Sequence, residues 1–111
     1  MDNKKNDKYY FLQIIEDIDY IKTYLNDATL EQFLSDMKTI DAVMLRLIQI
    51  AENTKFISAN FKEDHPEIDW YEIVGFRNKI VHDYRKTDYS IVYSVSTKDL
   101  DSLKYLINQY L

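Results

Sequence analysis

Residues 29–54, TLEQFLSDMKTIDAVMLRLIQIAENT, decide the fold. Leu30, Phe33, Leu34, Met37, Ile40, Met44, Leu47, Ile48, Ala51 and Thr54 recur at steps of three and four, the period of a helix with one apolar face. The stretch holds neither glycine nor proline, the residues that break helices most strongly. The pattern predicts helix to about Ala59, with a break or kink near Ser35–Lys38. Thr29 is read as an N-cap, with Gln32 at the capping-box position.

The same period extends in both directions. Phe11, Ile14, Ile15, Ile18, Ile21 and Leu25 predict an amphipathic helix from about Asp7 to Leu25, stopped by Asn26-Asp27. Downstream, residues 60–68 are polar and contain Pro66, which pushes His65 away from helix; this is the clear interruption in the pattern. Asp69 is then read as an N-cap with Glu72 completing a capping box. The helix it starts carries Trp70, Ile73, Val74, Arg77, Ile80, Val81 and Tyr84 along one stripe and runs over 69–85. Tyr89, Ile91, Tyr93 and Val95 alternate like a strand, but Val92 breaks the alternation and a lone strand has no partner. The reading is a short helix capped by Asp88. Ser96 with Asp99 is read as a last capping box, opening a helix with Leu100, Leu103, Leu106, Ile107 and Leu111.

The expectation is an all-α, up-and-down bundle of four to five helices in one domain spanning residues 1–111. One glycine and one proline cannot supply the tight turns of a sandwich or barrel. The absence of cysteine removes disulfides, thiolate nucleophiles and cysteine-based zinc sites. No apolar run approaches the ~20 residues of a membrane span, and the polar start, MDNKKNDKYY, has no apolar signal core. No membrane association is expected, and a cytoplasmic location is the default. Sixteen aromatic residues, ten of them tyrosine, exceed what a small core needs, which suits either an interface or a tyrosine-rich surface.

Charge narrows the search for a site. The chain carries −5 overall, which argues mildly against indiscriminate nucleic-acid binding. Residues 76–87, FRNKIVHDYRKT, nevertheless set Arg77, Lys79, Arg85 and Lys86 against Asp83 alone. Such an island suits a phosphate at one place, and equally suits a solvated helix end whose cations complement the helix dipole. No H-E-x-x-H, calcium loop or glycine-rich phosphate loop exists, so neither a metal nor a cofactor is expected. Arg77 interrupts an apolar stripe and needs a partner, because a bare buried guanidinium is costly. Asn78 and His82 stand four apart and can touch; Arg77 and His82 stand five apart, roughly 140° around the axis. A second copy of the helix can bring them together. The plain alternative is a salt-bridged Arg77 and a satisfied His82 near a helix end. Glu52 and Arg46, on the long helix, either line a cleft or pair with each other.

The string Arg77-Asn78-Lys79-Ile80-Val81-His82-Asp83-Tyr84 has the form R-x-x-x-x-H-x-Y. It resembles the signature of the HEPN superfamily, in particular its HepT-like toxins. The likeness extends through Asp41–Glu52, His65–Trp70, Val74-Gly75-Phe76 and Asp88–Leu100, about residues 7–111 in all. Ala51 stands where many members have glycine, and Asp83 and Arg85 replace a commoner glycine and aromatic. The four motif residues are intact.

The resemblance implies a homodimeric, metal-independent endoribonuclease in which two motif helices build a shared cleft. His82 would move protons, and Arg77 would grip non-bridging phosphate oxygens. Asn78 would orient His82 or bond the phosphate. Lys79, Arg85 and Lys86 are candidate RNA-backbone contacts. The 2′-hydroxyl is the nucleophile and a 2′,3′-cyclic phosphate the product. The resemblance also implies a minimal nucleotidyltransferase antitoxin that adds AMP units to Tyr84, whose phosphate charge and bulk would block the cleft. Two other readings stand beside it. One is a non-catalytic module that binds nucleotide or nucleotidyltransferase; the other is a structural dimerisation domain.

Overall fold

The computed structural model describes residues 6–111; the first five residues of the polar N-terminal stretch lie outside them. Helix α1 spans Asp7–Leu25, α2 Leu30–Leu34, α3 Met37–Thr54, α4 Ala59–Asp64, α5 Trp70–His82, α6 Tyr89–Ser94 and α7 Leu100–Asn108. A 3-10 turn, Tyr84–Lys86, follows α5, and a π-helical stretch, Val95–Asp99, joins α6 to α7. No strand occurs among the described residues.

Four long elements form the expected up-and-down bundle. Arg46 of α3 reaches Asp17 of α1, and Ser58, just past α3, reaches Asp7 at the start of α1, so the two helices run antiparallel. Tyr84 lies beside Asp41 and Arg77 beside Glu52, which sets α5 antiparallel to α3. Lys22 meets Asp101 and Asp19 meets Lys104, which closes the bundle with α7 against α1. The core is filled by Ile14, Ile18 and Ile21 from α1, Ile40, Val43, Met44 and Ile50 from α3, and Val92, Leu103 and Ile107 from α6 and α7. Side chains removed from water in this way supply the main drive to fold.

The capping chemistry sets most boundaries. Thr29 and Gln32 form the full reciprocal capping box. Asn26 ends α1 in the left-handed conformation (φ 46°), one that asparagine tolerates better than most residues. The break in the long pattern falls at Ser35, and Asp36 restarts the helix by accepting from the Thr39 amide. This interruption turns Leu30, Leu34 and Met37 outward, although the periodicity placed them in the apolar face.

Three boundaries differ from the sequence pattern. Helix α3 ends at Thr54, and the polar stretch after it holds a short helix, α4, capped by Ser58. Helix α5 ends at His82 instead of residue 85, because Asp83 leaves helical dihedrals (φ −144°). Tyr84 therefore sits on the following turn and not on the helical stripe. The Ser96–Asp99 capping box does not form. Ser96 is fully buried inside the π-helical stretch, and Lys22 Nζ donates to its carbonyl at 3.1 Å. The last helix thus continues from α6 with a bulge instead of starting afresh.

Candidate active site

Helix α5 carries the site and is the most lightly held of the long helices. Asp69 caps it by accepting from the Glu72 amide at 2.9 Å, and the Trp70 indole donates to the His65 carbonyl at 3.0 Å. Among its side chains only Ile80 is buried; Ile73, Val74 and Phe76 are half-covered and Val81 is exposed. An apolar cleft opens along Ile73 and Phe76 toward Ile50, Ile91 and Leu103.

Helical geometry divides the motif between two faces. Tyr71, Gly75, Asn78 and His82, spaced at four, three and four, share the outward face. Tyr71 is 92% exposed there, and His82 at the helix end is also exposed. Gly75, the chain's one glycine, lies at the middle of this face, and a Cβ built on it meets no atom within 4 Å. Its bareness therefore serves no contact made inside the chain.

Arg77 leans the other way, toward α3. Its Nε lies 3.0 Å from Glu52 Oε1, and its Nη1 donates to Asn78 Oδ1 at 3.0 Å. Nε is shielded from water, and its N–H points off the line to the carboxylate, so the contact is an ion pair without a well-aligned hydrogen bond. Glu52 Oε1 also takes Lys55 Nζ at 3.2 Å. The expected Asn78–His82 contact is not made, since Asn78 is turned to Arg77. No hydrogen bond joins the His82 ring to any described residue, Asp83 included. Lys79, Arg85 and Lys86 are exposed and form no ion pair among the described residues.

Tyr84 is 39% exposed, and its hydroxyl donates to Asp41 Oδ1 across from α3. That hydrogen bond, with lesser effects of burial and the Asp41 charge, pushes the phenol up from 10.0 to about 12. Asp41 is a site residue that sequence reasoning did not assign, and Glu52, expected either to line a cleft or to pair with Arg46, faces Arg77. Their signal is the antiparallel pairing of α3 with α5, which no local pattern contains. The suggested Arg46–Glu52 pair does not form: Arg46 bonds Asp17 at 3.0 Å and lies over the Tyr20 ring, 4.1 Å from its centroid. No group of three or more His, Asp or Glu among the described residues is placed to hold a metal. No described helix is long and apolar enough to cross a membrane.

The profile of the ribonuclease HepT-like family matches residues 14–110. The chain belongs to that family. It is 37% identical to the "Probable ribonuclease HepT" of Thermococcus cleftensis over 91% of its own length and 92% of that relative's. A "Putative RNase" of Methanocaldococcus jannaschii is 30% identical, over 83% of this chain and 76% of the relative. Another of that name from Caldanaerobacter subterraneus is 25% identical over 96% of each. No solved structure matches the chain. In this HepT-like chain the R-x-x-x-x-H-x-Y residues lie on the second half of α5 and the turn beyond it.

Proposed function

We propose that the chain is the cytoplasmic toxin of a toxin–antitoxin pair, a single-domain, homodimeric endoribonuclease that works without a metal. The observation that carries this reading is the outward face of α5. An exposed His82, a glycine with open space before it and an unpaired Lys79 lie on a helix that buries one side chain, with Arg85 and Lys86 on the turn beyond it. A helix so lightly buried, with Val81 and Tyr71 in water, suits a second copy packing against it. Pairing two such helices offers two imidazoles and two guanidinia to one linkage, which a single chain, with Arg77 and His82 turned apart, does not.

RNA carries its own nucleophile. One His82 removes the 2′-hydroxyl proton, and the freed oxygen attacks phosphorus. Arg77 holds the charge gathering on the non-bridging oxygens, and the partner copy's imidazole protonates the departing 5′-oxygen. The products are a 2′,3′-cyclic phosphate and a 5′-hydroxyl. Asn78 hydrogen-bonds the phosphate beside Arg77, while Lys79, Arg85 and Lys86 take neighbouring phosphates. Tyr84, partly exposed beyond the helix, is the residue a nucleotidyltransferase antitoxin modifies with AMP; the added phosphates then repel and occlude RNA. A second reading, a non-catalytic module that binds nucleotide or a nucleotidyltransferase, draws on the acidic overall charge of −5.

The test is RNA cleavage by the purified chain in EDTA. His82→Ala and Arg77→Ala are each expected to lower the rate by about 10²- to 10⁴-fold with the helical signal unchanged. Cleavage by both variants at the wild-type rate overturns the proposal, and so does dependence on an added divalent ion.

A further inference from the structure

The Arg77 guanidinium has five N–H groups; its surroundings bond one of them and set a carboxylate beside another. Nε is buried and faces Glu52 at 3.0 Å; one Nη1 hydrogen goes to Asn78. The remaining Nη hydrogens form no bond to any described residue. Asn78 is the next residue on the same helix and swings with Arg77. Glu52 stands on α3, so it ties the guanidinium to the core of the bundle: its neighbour Ala51 is buried, as are Ile50 and Thr54.

Glu52 would be an odd neighbour for a phosphate were it alone, since its charge repels an anion. It is not alone. The Oε1 atom that faces Arg77 also receives Lys55 Nζ, and the three groups together carry one net positive charge. Lys55 thus offsets the repulsion while the carboxylate keeps its hold on Nε.

From this arrangement we infer that Glu52 is a positioning residue for the proposed RNA cleavage: it fixes the Nε edge of Arg77 against α3 so that the free Nη edge meets the phosphate. The inference rests on the reading of Arg77 as the phosphate-gripping group. A guanidinium on a flexible stem loses rotamer freedom when it binds; one already held has lost it beforehand. The gain belongs to the reacting state, in which the phosphate charge is greatest, so kcat is the constant that responds.

The experiment compares Glu52→Ala, Glu52→Gln, Arg77→Ala and the Glu52→Ala/Arg77→Ala double variant, using a defined RNA oligonucleotide. Glu52→Ala is expected to lower kcat by about 30- to 100-fold with KM little changed. Glu52→Gln, which retains an acceptor oxygen, restores much of that loss. The double variant is no slower than Arg77→Ala, because Glu52 acts only through Arg77. A second readout is free of catalysis: the Arg77 Nε–H resonance exchanges slowly with solvent in the wild type and rapidly in Glu52→Ala. Wild-type kcat in Glu52→Ala, or a loss that multiplies onto that of Arg77→Ala, overturns the inference while leaving Arg77 in its role. An Arg77→Ala variant that cleaves like the wild type instead overturns the underlying reading. Unchanged Nε–H exchange in Glu52→Ala rejects the tether itself.

Discussion

Replacing Gly75 by alanine separates what the chain needs from what its partners need. Gly75 lies in the middle of α5, where glycine costs about 1 kcal/mol relative to alanine. Its φ is not positive and an added Cβ meets nothing within 4 Å, so the folded chain raises no objection to a methyl group. Alanine should therefore stabilise the isolated chain by about 0.5–1 kcal/mol, or about 4 °C in Tm for a domain of this size. The proposed dimer responds in the opposite sense. Gly75 shares its face with Asn78 and His82, and a methyl group there holds off a second helix or an RNA backbone that approaches closely. A tight contact that cannot relax loses about 1–3 kcal/mol to overpacking, a 5- to 150-fold weakening by the usual conversion. The assay is urea denaturation at low protein concentration, with light scattering and RNA cleavage over a concentration series. A stabilised Gly75→Ala variant that dimerises and cleaves like the wild type would refute the argument, since nothing would then approach that face. A destabilised monomer would refute the first half of it.

Two further perturbations test the supports of the site. Ile80 is the one fully buried side chain of α5, so Ile80→Ala should cost about 3 kcal/mol. Hydrogen exchange of α5 amides should rise more than that of α1; equal changes in the two helices would contradict the light docking of α5. Tyr84 should titrate near 12 in an ultraviolet titration of the folded chain, and Asp41→Asn should return it toward 10. The sign for stability follows from linkage. Below pH 10 both the folded and unfolded chain hold the proton, and the Tyr84–Asp41 contribution is whole. Between pH 10 and about 12 the unfolded chain releases it first, so the contribution declines and is gone above 12. A Tyr84 that titrates near 10 with Asp41 in place would reject the bond.

Helices, caps and the core were legible because they rest on local rules. Thr29 with Gln32 read correctly as a cap, since both partners sit within one turn and their chemistry is reciprocal. The Ser96–Asp99 pair had the same spacing and failed, because burial of Ser96 and the Lys22 contact to its carbonyl favour a continued helix. Tertiary contact overrode a local signal there. Helix α4 was missed because six residues show too little periodicity to stand against a polar composition. At the site, the motif was visible as a string, yet the end of α5 at His82 was not, since it depends on the dihedrals of Asp83. Asp41, and the partner of Glu52, were missed for a different reason: each carboxylate meets its partner across the bundle, and sequence separation carries no register for antiparallel helices.

These two carboxylates give α3 a part in the site that its buried face does not suggest. Helix α3 is the best-buried element, with seven residues out of water, while α5 has one. Arg77 and Tyr84, the motif side chains that meet the rest of the chain, do so through Glu52 and Asp41 of that rigid helix. His82 makes no such contact. The division fits the chemistry proposed for each. A guanidinium that must present one edge to a phosphate gains from being held before the substrate arrives. An imidazole that takes or gives a proton needs an open ring that the ribose–phosphate linkage can reach. The uneven hold on the motif is thus itself an argument that Arg77 binds charge and His82 moves protons.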